Sequence, residues 1–201
     1  MNKCLVLQVQ GESTRTDLPK LNVIRYNIIE PTSETRAIAR IKFAVASSLK
    51  IYGGQFVTPY SPSSLIGDTV NTPANSLDFY ETQLNVDGMS IEINNSNELL
   101  EIHTGAAHKV QISDLQFCDK LQVIQGEGIQ GNLTLLANLE ELKTIDLQYS
   151  LTVADANIFA DANTFTSLTT LTLTGSPYIS NKTAAVKAAI EAAHPGITVT
   201  W

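Results

Sequence analysis

The chain has 201 residues, 43% hydrophobic and 16% charged, with a formal net charge of −7. Such a composition belongs to a globular chain long enough to bury a core, and it excludes a disordered one. No apolar run approaches the roughly 18 residues of a membrane span, and residues 1–8 are read as lacking the apolar core of a secretory signal.

Charge is divided unevenly. Residues 1–60 carry eight Lys+Arg against four Asp+Glu, net +4; residues 61–201 carry five against sixteen, net −11. An acidic surface repels a polyanion, and the basic excess is scattered, so no nucleic-acid partner is expected. Two cysteines, Cys4 and Cys118, make no disulfide framework and are read as buried thiols.

In chain order, residues 4–9 and 22–29 read as strands. In residues 36–46, Ile41, Phe43 and Val45 alternate with Lys42 and Ala44, which favours a strand over the helix its alanines suggest. Residues 48–52, the Gly53-Gly54 pair and residues 55–58 together suggest a hairpin. Residues 1–58 are thus expected to be a small β-rich module that docks on other protein subunits. Residues 59–76, with Pro59, Pro62 and Pro73 among Ser, Thr, Asn and Gly, are expected to be a linker or loop. Strands are expected again at residues 84–86 and 89–93.

From residue 99 a pattern recurs. Leu99 is followed by Ile102, Leu121 by Ile124, Leu142 by Ile145 and Leu168 by Leu171, with starts 22, 21 and 26 residues apart. Residues 142–147 and 168–173 both read L-x-x-L-x-L. Here the chain resembles the leucine-rich-repeat family, with Ser150 and Ser176 at that family's asparagine position. The resemblance implies a parallel β solenoid over residues 77–201. Each unit would bury its aliphatic edge only against its neighbours. The expected fold class is α+β, mostly β: a β-rich N-terminal module, then the solenoid with a C-terminal capping helix and strand. In the cap, Asn181 is read as the N-cap of a helix bearing Ala184, Ala185, Ala188, Ala189 and Ala192. His194-Pro195-Gly196 stop it, and Ile197, 26 residues after Leu171, is expected to form the last rung.

Other motifs admit modest readings. Gly126-Glu127-Gly128-Ile129-Gln130-Gly131 matches the G-x-G-x-x-G of dinucleotide sites, and Asp146 follows at a fitting distance. The residues after it form a weak helix at 132–138, so a tight turn is expected instead. Residues 154–163 suggest a short helix with Ile158 and Phe159 inward. The spacing of Asp155 and Asp161 does not fit a calcium loop. His103 and His108 lack helical zinc spacing, and His194 falls where a cation suits a helix end. No catalytic, metal or cofactor site is expected.

If the solenoid binds, polar strand residues between the apolar positions would face the partner. The candidates are Glu101, His103, Gln122, Gln125, Lys143, Asp146, Gln148, Thr170, Thr172 and Thr174. The expected role is non-enzymatic: a structural component of a larger assembly made in the cytoplasm, presenting a protein- or glycan-contact surface. The layout looks like that of appendage or decoration proteins of tailed bacteriophages. The alternative is a cell-surface or secreted leucine-rich-repeat adhesion module.

Overall fold

A computed structural model describes residues 23–28, 36–52, 54–58, 61–84, 90–105 and 108–201. The strand expected at residues 4–9, including Cys4, lies outside the described residues. Among those described the chain is mostly β, with two short α-helices and both parallel and antiparallel pairing. No helix among them is long and apolar enough to cross a membrane.

The first part is antiparallel. It comprises β1 (Val23–Ile28), β2 (Arg36–Phe43), β3 (Ser47–Tyr52), β4 (Gly54–Thr58), β5 (Ser61–Gly67), β6 (Thr69–Thr72), β7 (Asp78–Leu84) and β8 (Ser90–Asn94). Alternation sets the faces: Ile41 and Phe43 of β2 are fully buried, as is Leu49 of β3, while Lys42 between them is partly exposed.

Two expectations fail here. β3 and β4 are not a hairpin: β3 pairs with β6 and β8, whereas β4 pairs with β5 and β7 in the other sheet. Both strands carry buried side chains, Leu49 and Ile51 on one and Phe56 on the other. Pairing them side by side would leave one wall of the core without cover. Residues 59–76, expected as a loop, hold β5 and β6 instead. Each is the last strand of its sheet among the described residues. Edge strands tolerate proline and short polar residues that an interior strand would not.

The second part is parallel. Its elements are β9 (Leu99–Thr104), β10 (His108–Gln111), α1 (Ile112–Leu115), β11 (Val123–Gly126), β12 (Ile129–Asn132), β13 (Thr144–Asp146), β14 (Leu151–Asp155), β15 (Thr170–Thr172), β16 (Ile179–Ser180), α2 (Ala184–Ala193) and β17 (Thr198–Thr200). Odd-numbered strands from β9 continue a nine-stranded sheet in the order β17-β15-β13-β11-β9-β2-β7-β4-β5. Even-numbered ones continue an eight-stranded sheet, β16-β14-β12-β10-β1-β8-β3-β6. The second parallel ladder was not foreseen, because its inward residues are short and mixed: Val110, Ile129, Thr152, Ala154 and Ile179.

In the nine-stranded sheet, Ile102, Ile124, Ile145 and Leu171 stand in register on adjacent parallel strands, all fully buried. Val199 extends the column. The last strand, β17, is therefore centred on Val199 and does not include Ile197, whose N–H is turned back onto the His194 carbonyl. Ser150 and Ser176 are fully buried, with hydroxyls 3.1 Å apart, and Ser176 Oγ donates to the Leu147 carbonyl at 2.8 Å. They form a small buried hydrogen-bonded chain from Ser150 through Ser176 to Leu147.

The returns are tighter than expected. Residues 133–136 and 156–160 are single 3-10 turns, each started by a side-chain acceptor: Thr134 N–H donates to Asn132 Oδ1, and Asn157 N–H to Asp155 Oδ1. Phe159 is fully buried, with its ring tilted 39° to that of Phe165 at a centroid distance of 4.8 Å, and Ile158 packs against the core. Thr183, not Asn181, caps α2, accepting from the Val186 N–H. Asn181 adopts a left-handed φ of 59° and donates to Asp155. The helix buries Ile190, with Val186 against the core, and exposes the alanines expected inside it.

Candidate functional site

The outward face of the nine-stranded sheet is built by alternation around the buried column. Residues flanking each inward aliphatic point out and line up across the strands. One row runs Arg40, His103, Gln125, Asp146, Thr172, Thr200; the other runs Lys42, Glu101, Val123, Thr144, Thr170, Thr198. Of the expected face residues, Glu101, His103, Gln125, Asp146, Thr170 and Thr172 lie in these rows. Gln148 and Thr174 follow just beyond the strand ends.

Gln122 and Lys143 do not belong to the rows. They lie two positions before Ile124 and Ile145 and so share the parity of the buried column. Val123 and Thr144 hold the outward places instead. Arg40 and Lys42 were missed because their row position depends on β2 pairing antiparallel with β9 across about 60 residues of sequence, a pairing no local pattern announces.

Where β2, β9, β11 and β13 meet, the face sinks into a hollow of about 380 Å³. Arg40, His103, Gln125, Glu127, Asp146 and Gln148 frame it, with Gly105 and Gly126 in its wall. Asp146 is held between two amides, one from the neighbouring strand β11 and one from two residues further along its own segment: Gln125 Nε2 donates to Oδ2 at 3.0 Å and Gln148 Nε2 to Oδ1 at 3.3 Å. Beside the hollow, Glu101 accepts from Lys42 Nζ at 2.8 Å, and His103 Nε2 lies 3.3 Å from its second oxygen. Burial pushes the Glu101 carboxyl up, but the hydrogen bonds and charges of Lys42 and His103 outweigh it and hold it below the ordinary value.

The glycine motif shapes this wall rather than cradling a phosphate. Gly126 ends β11 with φ 125°, and a Cβ there would collide with the Thr104 carbonyl oxygen. Glu127 and Gly128 make the turn, and β12 begins at Ile129. The motif is strand–turn–strand, followed by a four-residue 3-10 turn in place of the helix that pyrophosphate binding requires.

His194, Cys118 and Asp155 sit in structural surroundings away from the hollow. His194 is buried, with Nε2 2.9 Å from the Phe159 carbonyl, so it ties α2 to the 3-10 turn below it. His108 is in β10. Cys118 is buried, and desolvation, aided by Asp119 and Asp114, pushes its thiol up to about 12. Asp155 is held low chiefly by the Asn157 N–H, with Asn181 adding to it.

No known family model matches the chain, nor does any curated protein or solved structure.

Proposed function

We propose that this chain is a non-enzymatic binding protein built as a degenerate leucine-rich-repeat-like solenoid. In this reading it is one component of a larger protein assembly, such as a bacteriophage particle. The observation that carries the reading is the buried column from Ile102 to Val199, held in register on five adjacent parallel strands. Stacked units of this kind set outward side chains at fixed intervals of about 4.8 Å, which suits a presented surface better than a closed reaction chamber. The virion reading adds the layout: an antiparallel front half whose sheets run directly into the stacked strands.

Size-exclusion chromatography with light scattering on the full chain tests the assembly reading. A species larger than the 21.8 kDa monomer is expected. A monomer at every concentration would overturn it in favour of a surface recognition module acting alone.

A further inference from the structure

We propose that the hollow framed by His103, Gln125, Glu127, Asp146 and Gln148 binds a neutral, hydroxyl-rich sugar, and that the ring of Tyr149 carries the next sugar unit. This deepens the binding reading above and rests on it.

The wall chemistry selects the ligand. A carboxylate offers about four acceptor sites, and the two amides on Asp146 occupy one on each oxygen. Each of those amides keeps a second N–H and a carbonyl oxygen. Fixed donors and acceptors therefore alternate within a few ångströms, the pattern that adjacent sugar hydroxyls complement by donating to one group and accepting from the next. Asp146 and Glu127 outnumber the single guanidinium of Arg40 in the wall, so the balance of charge opposes an anionic ligand, while the side chains that frame the hollow supply polar groups for a hydroxyl-rich one.

Tyr149 supplies an independent observation. It directly follows Gln148 of the wall. Its φ is 53°, a left-handed value that is strained for a bulky residue. Its ring packs on Gly175 so closely that a Cβ there would strike it, yet the residue remains 64% exposed. The ring is thus seated on Gly175 along one side and open to solvent over much of the rest. An aromatic held at a conformational cost and left largely exposed suits the apolar C–H face of a sugar ring.

The test is titration calorimetry of the full chain with neutral di- to tetrasaccharides of glucose, galactose, mannose and N-acetylglucosamine, at up to millimolar concentrations. At least one is expected to bind. Asp146→Ala and Gln148→Ala should each weaken it by roughly tenfold. Tyr149→Gly relieves the backbone strain, so it should fold at least as well and weaken the longer saccharides more than the disaccharide. Glu140→Ala, on an exposed turn elsewhere, should leave binding unchanged. Failure of every saccharide to bind, equal binding by the folded Asp146→Ala and Gln148→Ala chains, or binding of spermidine or a lysine-rich peptide without any sugar would overturn the proposal. An oligomer that binds no sugar loses only this inference; a monomer that binds sugar loses only the assembly reading.

Discussion

Lys187 reaches from α2 to donate a 2.7 Å hydrogen bond to the carbonyl of Val199, the middle residue of the outermost strand of the nine-stranded sheet. In a parallel ladder the groups of Thr198 and Thr200 turn toward β15, so those of Val199 turn to the open edge. Lys187 therefore occupies an acceptor that another strand would otherwise use. Lys182 instead caps the turn that follows β15, donating to the Leu173 and Ser176 carbonyls at 3.2 and 3.1 Å. Replacing Lys187 with Met should lower unfolding free energy by about 1–2 kcal/mol and increase self-association. Urea titration and concentration-dependent light scattering would read the two effects.

The Ser150–Ser176 ladder makes a second prediction. Ser176→Ala removes the donor to the Leu147 carbonyl and a partner of Ser150, at a fully buried position. A loss of about 1–3 kcal/mol is expected by chemical denaturation. A double-mutant cycle with Ser150→Ala should show coupling between the two, because each single change disturbs the same pair.

Gly126 has no substitute. Gly126→Ala would drive a methyl group into the Thr104 carbonyl oxygen and hold an L-residue at positive φ. Loss of at least about 2 kcal/mol is expected, whereas Gly196→Ala, with open space around it, should lose about 1 kcal/mol from its φ of 91° alone. Thermal denaturation of the two variants separates steric collision from backbone preference.

The Glu101 pair makes stability depend on pH with a definite sign. Its carboxyl is held low in the fold, so its contribution is present above the unfolded value of about 4.3. That contribution is lost as pH falls through the lower folded value. Lys42→Met should therefore destabilise by about 1 kcal/mol at pH 7 and by much less at pH 3, and it should move the Glu101 carboxyl resonance to titrate at higher pH.

Cys118 should be inert in the folded chain. With its thiol pushed up to about 12 and its side chain fully buried, an aromatic disulfide reagent at pH 8 should leave it unmodified until denaturant is added. Mass spectrometry of the peptide containing residue 118 would record this.

The column from Ile102 to Leu171 was legible because each inward aliphatic recurs at a nearly fixed interval and each strand is nucleated by local alternation. What eluded the sequence depends on distant partners. β5 reads as a proline-bearing loop until its place at a sheet edge is known. β3 and β4 look like a hairpin because a Gly-Gly step between two short runs cannot say whether the runs share a sheet. Asn181 and Thr183 are both good caps by residue type, and only the bond from Asn181 to Asp155 in the preceding unit decides between them. Within the site, Asp146 was visible as an outward strand residue, but the half of its clamp that Gln125 supplies from the neighbouring strand is a tertiary product. Gln122 was misplaced for a simpler reason: it stands one residue before its strand begins, where polarity alone gives no parity.

The antiparallel strands made first, β1 and β2, end up in sheet interiors, between β8 and β10 and between β7 and β9. During synthesis each must wait for about 60 to 80 further residues before its second neighbour leaves the ribosome. Once β9 and β10 arrive, every later rung can be laid on a finished template as it emerges, at the modest loop-closure entropy of a short return. Translation should therefore show one long vulnerable interval, when the early strands are open to proteases and chaperones, followed by stepwise protection toward the C-terminus.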